Sequence, residues 1–214
     1  MAVAGFKAQV NVSGTPVAFA DEPTTPNADL TTYQINDNLK RVWDAQADIT
    51  VEQSTDGGTT WNATDPKTYK LNRLTGTVLF DAAQASGEQV RVSGQYLPMS
   101  KAAEAYEYKY KIEADNQDQH EFGVVYNKRV QGLKDVTGSI KRWYQTNSFF
   151  FDALNNEDVV VLEFYSDSSA ASPDLKAWAI LSGDKPSVKV DGLVEEEIDF
   201  EGTEDRDGRA VAIG

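Results

Sequence analysis

The alternation of apolar and polar residues constrains the fold more than any other feature of this sequence. Between residues 106 and 114, charged residues separate apolar ones at every second position, and the apolar residues are Tyr106, Tyr108, Tyr110, Ile112 and Ala114. Residues 194–201 carry carboxylates at every second position: Glu195, Glu197, Asp199 and Glu201. A two-residue period places alternate side chains on opposite faces of a β-strand. We therefore predict a mainly β protein, and expect the row of four carboxylates to face solvent or cations.

Continuous apolar runs predict the strands at the centre of the sheets. Residues 159–164 and 177–181 are almost entirely apolar, which is typical of strands buried on both faces. Before the first run, Ser148 can cap a short helix that stops at Asn155. The apolar side of this helix would consist of Phe149, Phe150, Ala153 and Leu154. The predicted fold is a β-sandwich or barrel with one short packed helix.

Two breaks in the pattern indicate how the chain is divided. Residues 21–29 contain two prolines among polar residues, and residues 98–103 are mainly small. We interpret residues 1–30 and 104–214 as one β core, and residues 31–103 as an inserted small β unit.

The charge and composition exclude several classes of protein. The formal charge is −14, and phosphate binding requires clustered Lys and Arg, so the chain is unsuited to gripping nucleic acid. Because there is no cysteine, there can be no disulfide, thiol nucleophile or thiolate metal site. No apolar run approaches the length needed to cross a bilayer, so we expect no membrane partner.

Candidates for catalysis are few. His120 is the single histidine, and it follows the polar residues 115–119, which we interpret as a solvated surface loop. Glycoside hydrolysis needs only two carboxylates, but 34 acidic residues do not indicate which would pair. The sequence favours a protein that is not an enzyme and needs no cofactor or metal.

One motif resembles part of an enzyme family. The segment Ser54-Thr55-Asp56-Gly57-Gly58-Thr59-Thr60-Trp61 resembles the Asp box of sialidases and related propellers. In that family the box repeats from blade to blade, away from the catalytic centre, whereas here it occurs once in a short chain. Asp-Gly between strands is itself a strong hairpin signal. We therefore predict a tight hairpin turn built on Ser54, Asp56, Gly58 and Trp61.

Several short segments, taken in order, form the most specific signal in the sequence. They are residues 4–20, the stretch His120-Glu121-Phe122-Gly123, and residues 132–140, in which Gly-Leu-Lys-Asp runs into Thr-Gly-Ser. In this order they resemble the first hairpin, a loop and the most recognisable stretch of the major tail tube proteins of long-tailed, non-contractile bacteriophages. The family-like turn would be formed by Asp135, Thr137, Gly138 and Ser139. The resemblance covers residues 1–30 and 104–205.

The resemblance implies a structural virion protein, made in the host cytoplasm and located in the phage tail. In that family, six subunits close into a ring whose strands form a continuous inner barrel, and the rings stack into a tube. The implied partners are further copies of the chain, the tape measure protein and the tail completion and terminator proteins, while DNA passes through the lumen without specific binding.

The same resemblance assigns roles to particular residues. It gives the long inner-sheet strand to Tyr106, Tyr108, Tyr110 and Ile112, and the contact between rings to a loop formed by Asp115, Asn116, Gln117, Asp118, Gln119 and His120. We also hypothesise that part of the acidic surplus faces the lumen, so that DNA slides without being held.

Two other classes remain open. A carbohydrate-binding or adhesive β-sandwich would use aromatic side chains as a sugar platform, and its candidates are exposed tyrosines and Trp43, Trp61, Trp143 and Trp178. A glycosidase is the third alternative, suggested by the single Asp box alone.

Overall fold

The computed structural model describes residues 7–119, 128–144, 149–188 and 193–213. It is mainly β, with two antiparallel sheets and 54% of residues in strands, which confirms the predicted fold class. One short α-helix is present among the described residues. No helix within these ranges is long and apolar enough to span a membrane.

The elements follow one another in a regular succession of strands interrupted by one helix. They are β1 Gln9–Ser13, β2 Val17–Pro26, β3 Thr32–Ile35, β4 Thr50–Ser54, β5 Asn62–Ala63, β6 Tyr69–Asn72, β7 Thr77–Phe80, β8 Gln89–Tyr96, β9 Met99–Lys101, β10 Ala105–Gln119, β11 Lys128–Trp143, α1 Phe149–Asn155, β12 Val159–Tyr165, β13 Leu175–Ser187, β14 Glu195–Gly202 and β15 Val211–Ile213. Two 3-10 helices, Asn38–Lys40 and Pro66–Thr68, begin at aspartates whose carboxylates accept hydrogen bonds from backbone amides.

Internal contacts divide the chain into two compact units. The first consists of Met1–Ala102, Val161–Trp178 and Glu204–Gly214, and the second of Ala103–Val160 and Ala179–Thr203. The predicted boundary at residue 30 differs from this division, because β2 begins before it yet pairs with β8 and β3, which come after it. Pro23 and Pro26, interpreted as part of a break, lie within β2. Pro23 is the last residue of β2 that pairs with β8, and Pro26 is the last that pairs with β3, so each proline stands at the end of a ladder.

The first unit contains a seven-stranded sheet with the order β5-β4-β8-β2-β3-β7-β6. Its core surrounds the fully buried Trp43, on which the ring of Phe19 stacks with a centroid distance of 6.4 Å. Tyr33, Ile35 and Val92 are buried in the same cluster. Burying each large apolar side chain contributes about 1.5–3 kcal/mol, so this cluster is a major source of stability for the unit.

The hairpin expected at residues 4–20 is not formed by β1 and β2. β1 pairs with β12 and β9, while β2 pairs with β8 and β3. Val10 and Val12 of β1 are buried opposite Phe164 and Leu162. Packing against this mainly apolar strand favours β12 over the more polar β2 as the partner of β1.

The predicted central strands are present, with one difference. Residues 160–164 of β12 are all buried, which fits burial on both faces. In β13, Trp178 and its two alanine neighbours are buried, but Ile180 is 38% exposed. The second apolar run is therefore buried on both faces only over its first residues.

The second unit contains β10, β11, β14 and residues 179–187 of β13, which are neighbours in the sheet in that order, together with α1. Phe150 and Ala153 of α1 are buried, as the apolar side of the helix predicts. The guanidinium of Arg142 in β11 lies 4.8 Å from the centre of the Phe150 ring. Ser148, the predicted helix cap, lies outside the described residues.

Candidate self-assembly interface

β10 forms the end of its sheet and is 15 residues long. It pairs on one side with β11, and Tyr108, Tyr110 and Ile112 lie opposite Ile140, Gly138 and Val136 respectively. Within the part of the chain that the structure describes, no strand pairs with the other side of β10. At about 3.3 Å per residue, the strand presents an edge on the order of 50 Å long. Such an edge is a template for pairing with another strand.

The predicted loop at residues 115–119 is not observed. β10 continues through Gln119, and Asn116 and Gln119 lie opposite Gln131 and Lys128 of β11. Asp115 stands at a register shift between Ala114 and Asn116. The polar composition suggested a loop. Pairing with a neighbouring strand, however, satisfies the hydrogen-bonding groups of the main chain whatever the side chains are. His120, which was predicted to belong to the same loop, lies outside the described residues.

The predicted family-like turn is also not observed. Asp135, Thr137, Gly138 and Ser139 lie in β11, each opposite a residue of β10. A Cβ at position 138 would lie 2.5 Å from the Phe200 ring and 2.2 Å from the Lys109 carbonyl oxygen. The glycine therefore admits a close neighbour within the sheet and does not serve a turn.

The β10 edge carries large apolar side chains that are open to solvent. Val136 and Ile140 in β11 are buried, whereas Tyr106, Tyr110 and Ile112 in β10 are 45%, 39% and 45% exposed. Tyr106 also lies against Trp143, with 4.8 Å between the ring centres. Exposed apolar side chains along an open sheet edge are typical of an interaction surface.

The opposite face of the second unit carries rows of opposite charge. Glu197 lies across from Lys141 on β11 and from Lys185 on β13. Asp199 forms an ion pair with Lys185, and this hydrogen bond raises the pKa of the Lys185 ammonium. Glu197 and Asp199, two members of the predicted row of four carboxylates, therefore face lysines. This agrees with the expectation that the row faces cations or solvent.

A buried acidic cluster in the second unit was not predicted. Arg142 binds Glu196, and both side chains are almost completely buried. Burial, followed by the charge of Glu196 and a hydrogen bond with it, raises the pKa of Asp184 to about 6. Asp184 Oδ1 and Glu196 Oε1 are buried without a hydrogen-bond partner among the described residues, and a protonated Asp184 would be able to donate a hydrogen bond to a neighbouring carboxylate.

The sequence did contain a signal for this cluster. Glu196 stands between Val194 and Ile198 in the alternating pattern, at a position whose neighbours face the apolar side. A charged residue at a position on the apolar face of a strand indicates a buried charge, which requires a partner such as Arg142.

The predicted hairpin residues lie between β4 and β5, which pair antiparallel. Asp56 Oδ1 accepts hydrogen bonds from the Ser54 hydroxyl and from the amides of Thr59 and Thr60. The Thr60 amide, followed by the Ser54 hydroxyl, lowers the pKa of Asp56 to about 2. Trp61 Nε1 donates to the Gly58 carbonyl at 3.1 Å. All of these hydrogen bonds join groups within the turn, so the Asp56 carboxylate serves to stabilise the turn.

The four tryptophans differ in their access to a ligand. Trp43 and Trp178 are fully buried and cannot stack on a sugar. Trp61 is partly exposed, but the Arg91 guanidinium covers its ring at 4.4 Å. Trp143 is partly exposed and lies against Tyr106. A sugar platform would therefore depend on Trp143 and the exposed tyrosines.

The structure also bears on metal binding. In residues 7–119, 128–144, 149–188 and 193–213, no group of three or more His, Cys, Asp and Glu side chains could hold a metal ion.

Comparison with known proteins gives no family assignment: no protein-family model matches the chain, and a search of curated proteins finds no relative.

Proposed function

We propose that this chain is a structural subunit that assembles with identical copies through the outer edge of β10. The observation that carries the proposal is a 15-residue edge strand whose exposed side chains include Tyr106 and Ile112. Pairing with a strand of another copy would satisfy the main-chain groups of the edge and cover these apolar side chains together.

The energetics favour such an association. Each main-chain hydrogen bond contributes about 0.5–1.5 kcal/mol net, so even partial pairing along β10 supplies several kcal/mol. Covering Tyr106, Tyr110 and Ile112 adds a hydrophobic contribution of about 25 cal/mol per Å². Contact between β10 and a different edge of the neighbour generates a ring when the rotation closes.

We further propose that these rings stack into the tail tube of a long-tailed bacteriophage. This part rests on the resemblance of residues 1–30 and 104–205 to tail tube proteins. The subunit would reside in the virion, contact the tape measure and tail completion proteins, and act by forming a conduit and not as an enzyme. The charge of −14 suits a lumen that DNA traverses without being held. A strongly positive potential along the bore of an assembled tube would contradict this last idea.

Electron microscopy of the purified protein in negative stain, combined with light scattering, tests the proposal. We expect rings or hollow tubes from the wild-type protein and monomers from Ile112→Lys, because a lysine in the covered face would be desolvated. Ile180→Lys is the matched control, since Ile180 is 38% exposed on β13 and lies away from the edge. A wild-type protein that stays monomeric when concentrated, or an Ile112→Lys variant that assembles normally, would refute the proposal.

A carbohydrate-binding or adhesive β-sandwich is the alternative function. Trp143 and Tyr106, stacked near the edge, are the observation that favours it. A glycan array probed with monodisperse monomer distinguishes the two functions. Binding that Trp143→Ala abolishes, without any assembly, would support the alternative.

A further inference from the structure

A cavity of about 430 Å³ lies in the first unit, beside the 3-10 helix Asn38–Lys40. Leu39, Met99 and Pro173 give it an apolar wall, and Arg41 and Lys176 bring positive charge to it. Small-molecule sites are typically of this size or larger, with a mainly apolar lining and a few polar groups that fix orientation. The cavity therefore has the dimensions and the lining of a site for a small ligand.

Arg41 differs from most other arginines of the protein. Four arginines form ion pairs with carboxylates: Arg73, Arg91, Arg142 and Arg206. Arg41 forms no ion pair within the described residues, and its Nε is buried without a hydrogen-bond acceptor. Arg41 therefore lines the cavity with a positive charge that no carboxylate of the described residues offsets, and an anion in the cavity would offset it.

The backbone holds Arg41 in a fixed position. A Cβ on Gly76 would lie 2.8 Å from both the Cα and the carbonyl oxygen of Arg41, so only glycine permits this close approach. On the next residue, the Val42 carbonyl accepts a 2.7 Å hydrogen bond from the Leu97 amide. The guanidinium thus extends from a rigid segment, which lowers the entropy lost when a ligand binds.

The acidic residue of the cavity is already engaged. Glu163 Oε1 binds the Lys176 ammonium at 2.7 Å, and Glu163 Oε2 accepts hydrogen bonds from Asn11 at 3.0 Å and from the Tyr165 hydroxyl at 3.2 Å. Both Glu163 and Lys176 are buried side chains. Three donors hold this carboxylate, which leaves the charge of Arg41 uncompensated in the cavity.

We propose that this cavity binds a small organic anion, whose carboxylate or phosphate forms an ion pair with the Arg41 guanidinium while its body contacts Leu39 and Met99. A guanidinium is well suited to either oxyanion, because both offer charged acceptors in a geometry that it matches. The site is independent of the β10 edge, so it can be tested whether or not the protein assembles.

Methionine methyl resonances provide a direct test. The chain contains only two methionines, so ¹³C-methyl labelling gives few signals, and Met99 is a reporter inside the cavity. The probes are benzoate, phenyl phosphate and neutral benzyl alcohol, which share an aromatic ring that shifts nearby methyl resonances. We expect the Met99 signal to shift saturably with benzoate, phenyl phosphate or both, and to respond much less to benzyl alcohol.

The two anions separate the two chemical classes of ligand. Saturation by benzoate alone assigns a carboxylate site, and saturation by phenyl phosphate alone assigns a phosphate site. The absence of any Met99 shift at about 10 mM of either anion, a concentration that would reveal even millimolar affinity, would overturn the proposal. An equal response to benzyl alcohol would also overturn it, because the cavity would then be merely apolar.

Substitutions locate the interaction on Arg41. Arg41→Gln should weaken anion binding about tenfold or more, since a charge-assisted hydrogen bond is lost. Arg206→Gln is the control, because it removes the same charge from an exposed arginine that pairs with Asp48. Equal weakening by both variants would contradict a specific site. The wild-type comparison of charged and neutral probes remains decisive if Arg41→Gln perturbs the fold.

Discussion

Gly138 of β11 lies directly against the ring of Phe200 on β14, where a Cβ on the glycine would stand 2.5 Å from the ring. The same Cβ would stand 2.2 Å from the Lys109 carbonyl oxygen on β10. Position 138 is thus closed to any side chain, and the sheet of the second unit depends on this close approach.

Gly138→Ala should therefore destabilise the protein by about 3 kcal/mol, because the added methyl group overpacks the site against both backbone and ring. Urea denaturation followed by tryptophan fluorescence measures the free energy of unfolding. Ser139→Ala is the control on the adjacent residue, whose side chain points to the other face, and should change it by less than about 1 kcal/mol. If Gly138→Ala were as stable as the wild type, the neighbouring strands would be able to admit a methyl group at position 138 without a loss of free energy of unfolding.

Arg142→Met should cost about 3–5 kcal/mol, because it leaves Glu196 buried without its counter-ion. Lys141→Met, one residue earlier on the partly exposed face, removes the same charge and should cost about 1 kcal/mol or less. The double variant Arg142→Met with Glu196→Gln should recover part of the loss, since no unpaired charge remains. A double variant as unstable as the sum of the single ones would contradict the pairing.

Asp184 should make stability fall as the pH rises from about 4 to 6. Its pKa in the folded protein is about 6, against an ordinary value of 3.8, so in this window the folded state keeps a proton that the unfolded state has lost. Above about pH 6 the Asp184 carboxyl is ionised in both states, so it causes no further change in the free energy of unfolding. Asp184→Asn should remove this part of the pH dependence, whereas Asp135→Asn, at an exposed position of β11, should leave it. Unfolding free energies measured from pH 4 to 8 check the slope, and an unchanged slope in Asp184→Asn would refute the assignment.

Assembly should become faster and more complete as salt is added. Copies that each carry a formal charge of −14 repel one another, and at 0.1 M salt the screening length is only about 10 Å. Light scattering at constant protein concentration and rising NaCl measures the effect. A flat or falling response would mean that attraction between charged side chains, and not the apolar edge, drives association.

The mainly β class was predictable from the sequence because strand periodicity is a local property of successive side chains. The alternation at residues 106–114 and the apolar run at 159–164 both correspond to strands, and Phe150 and Ala153 form the buried side of a short helix. The motif at residues 54–61 likewise specified its own conformation, since Asp56 accepts hydrogen bonds from groups within the turn.

Only the tertiary structure decided which strands pair and which polar residues are buried. The loop expected at residues 115–119 is strand because β11 lies alongside it, and the turn expected around Gly138 is strand because Phe200 and Lys109 approach it from neighbouring strands. The burial of Glu196 and the placement of Arg41 beside a cavity depend on residues far away in the chain. Periodicity records which way a side chain faces, but the partner across a sheet is chosen by competition among all the strands, and no short segment encodes that choice.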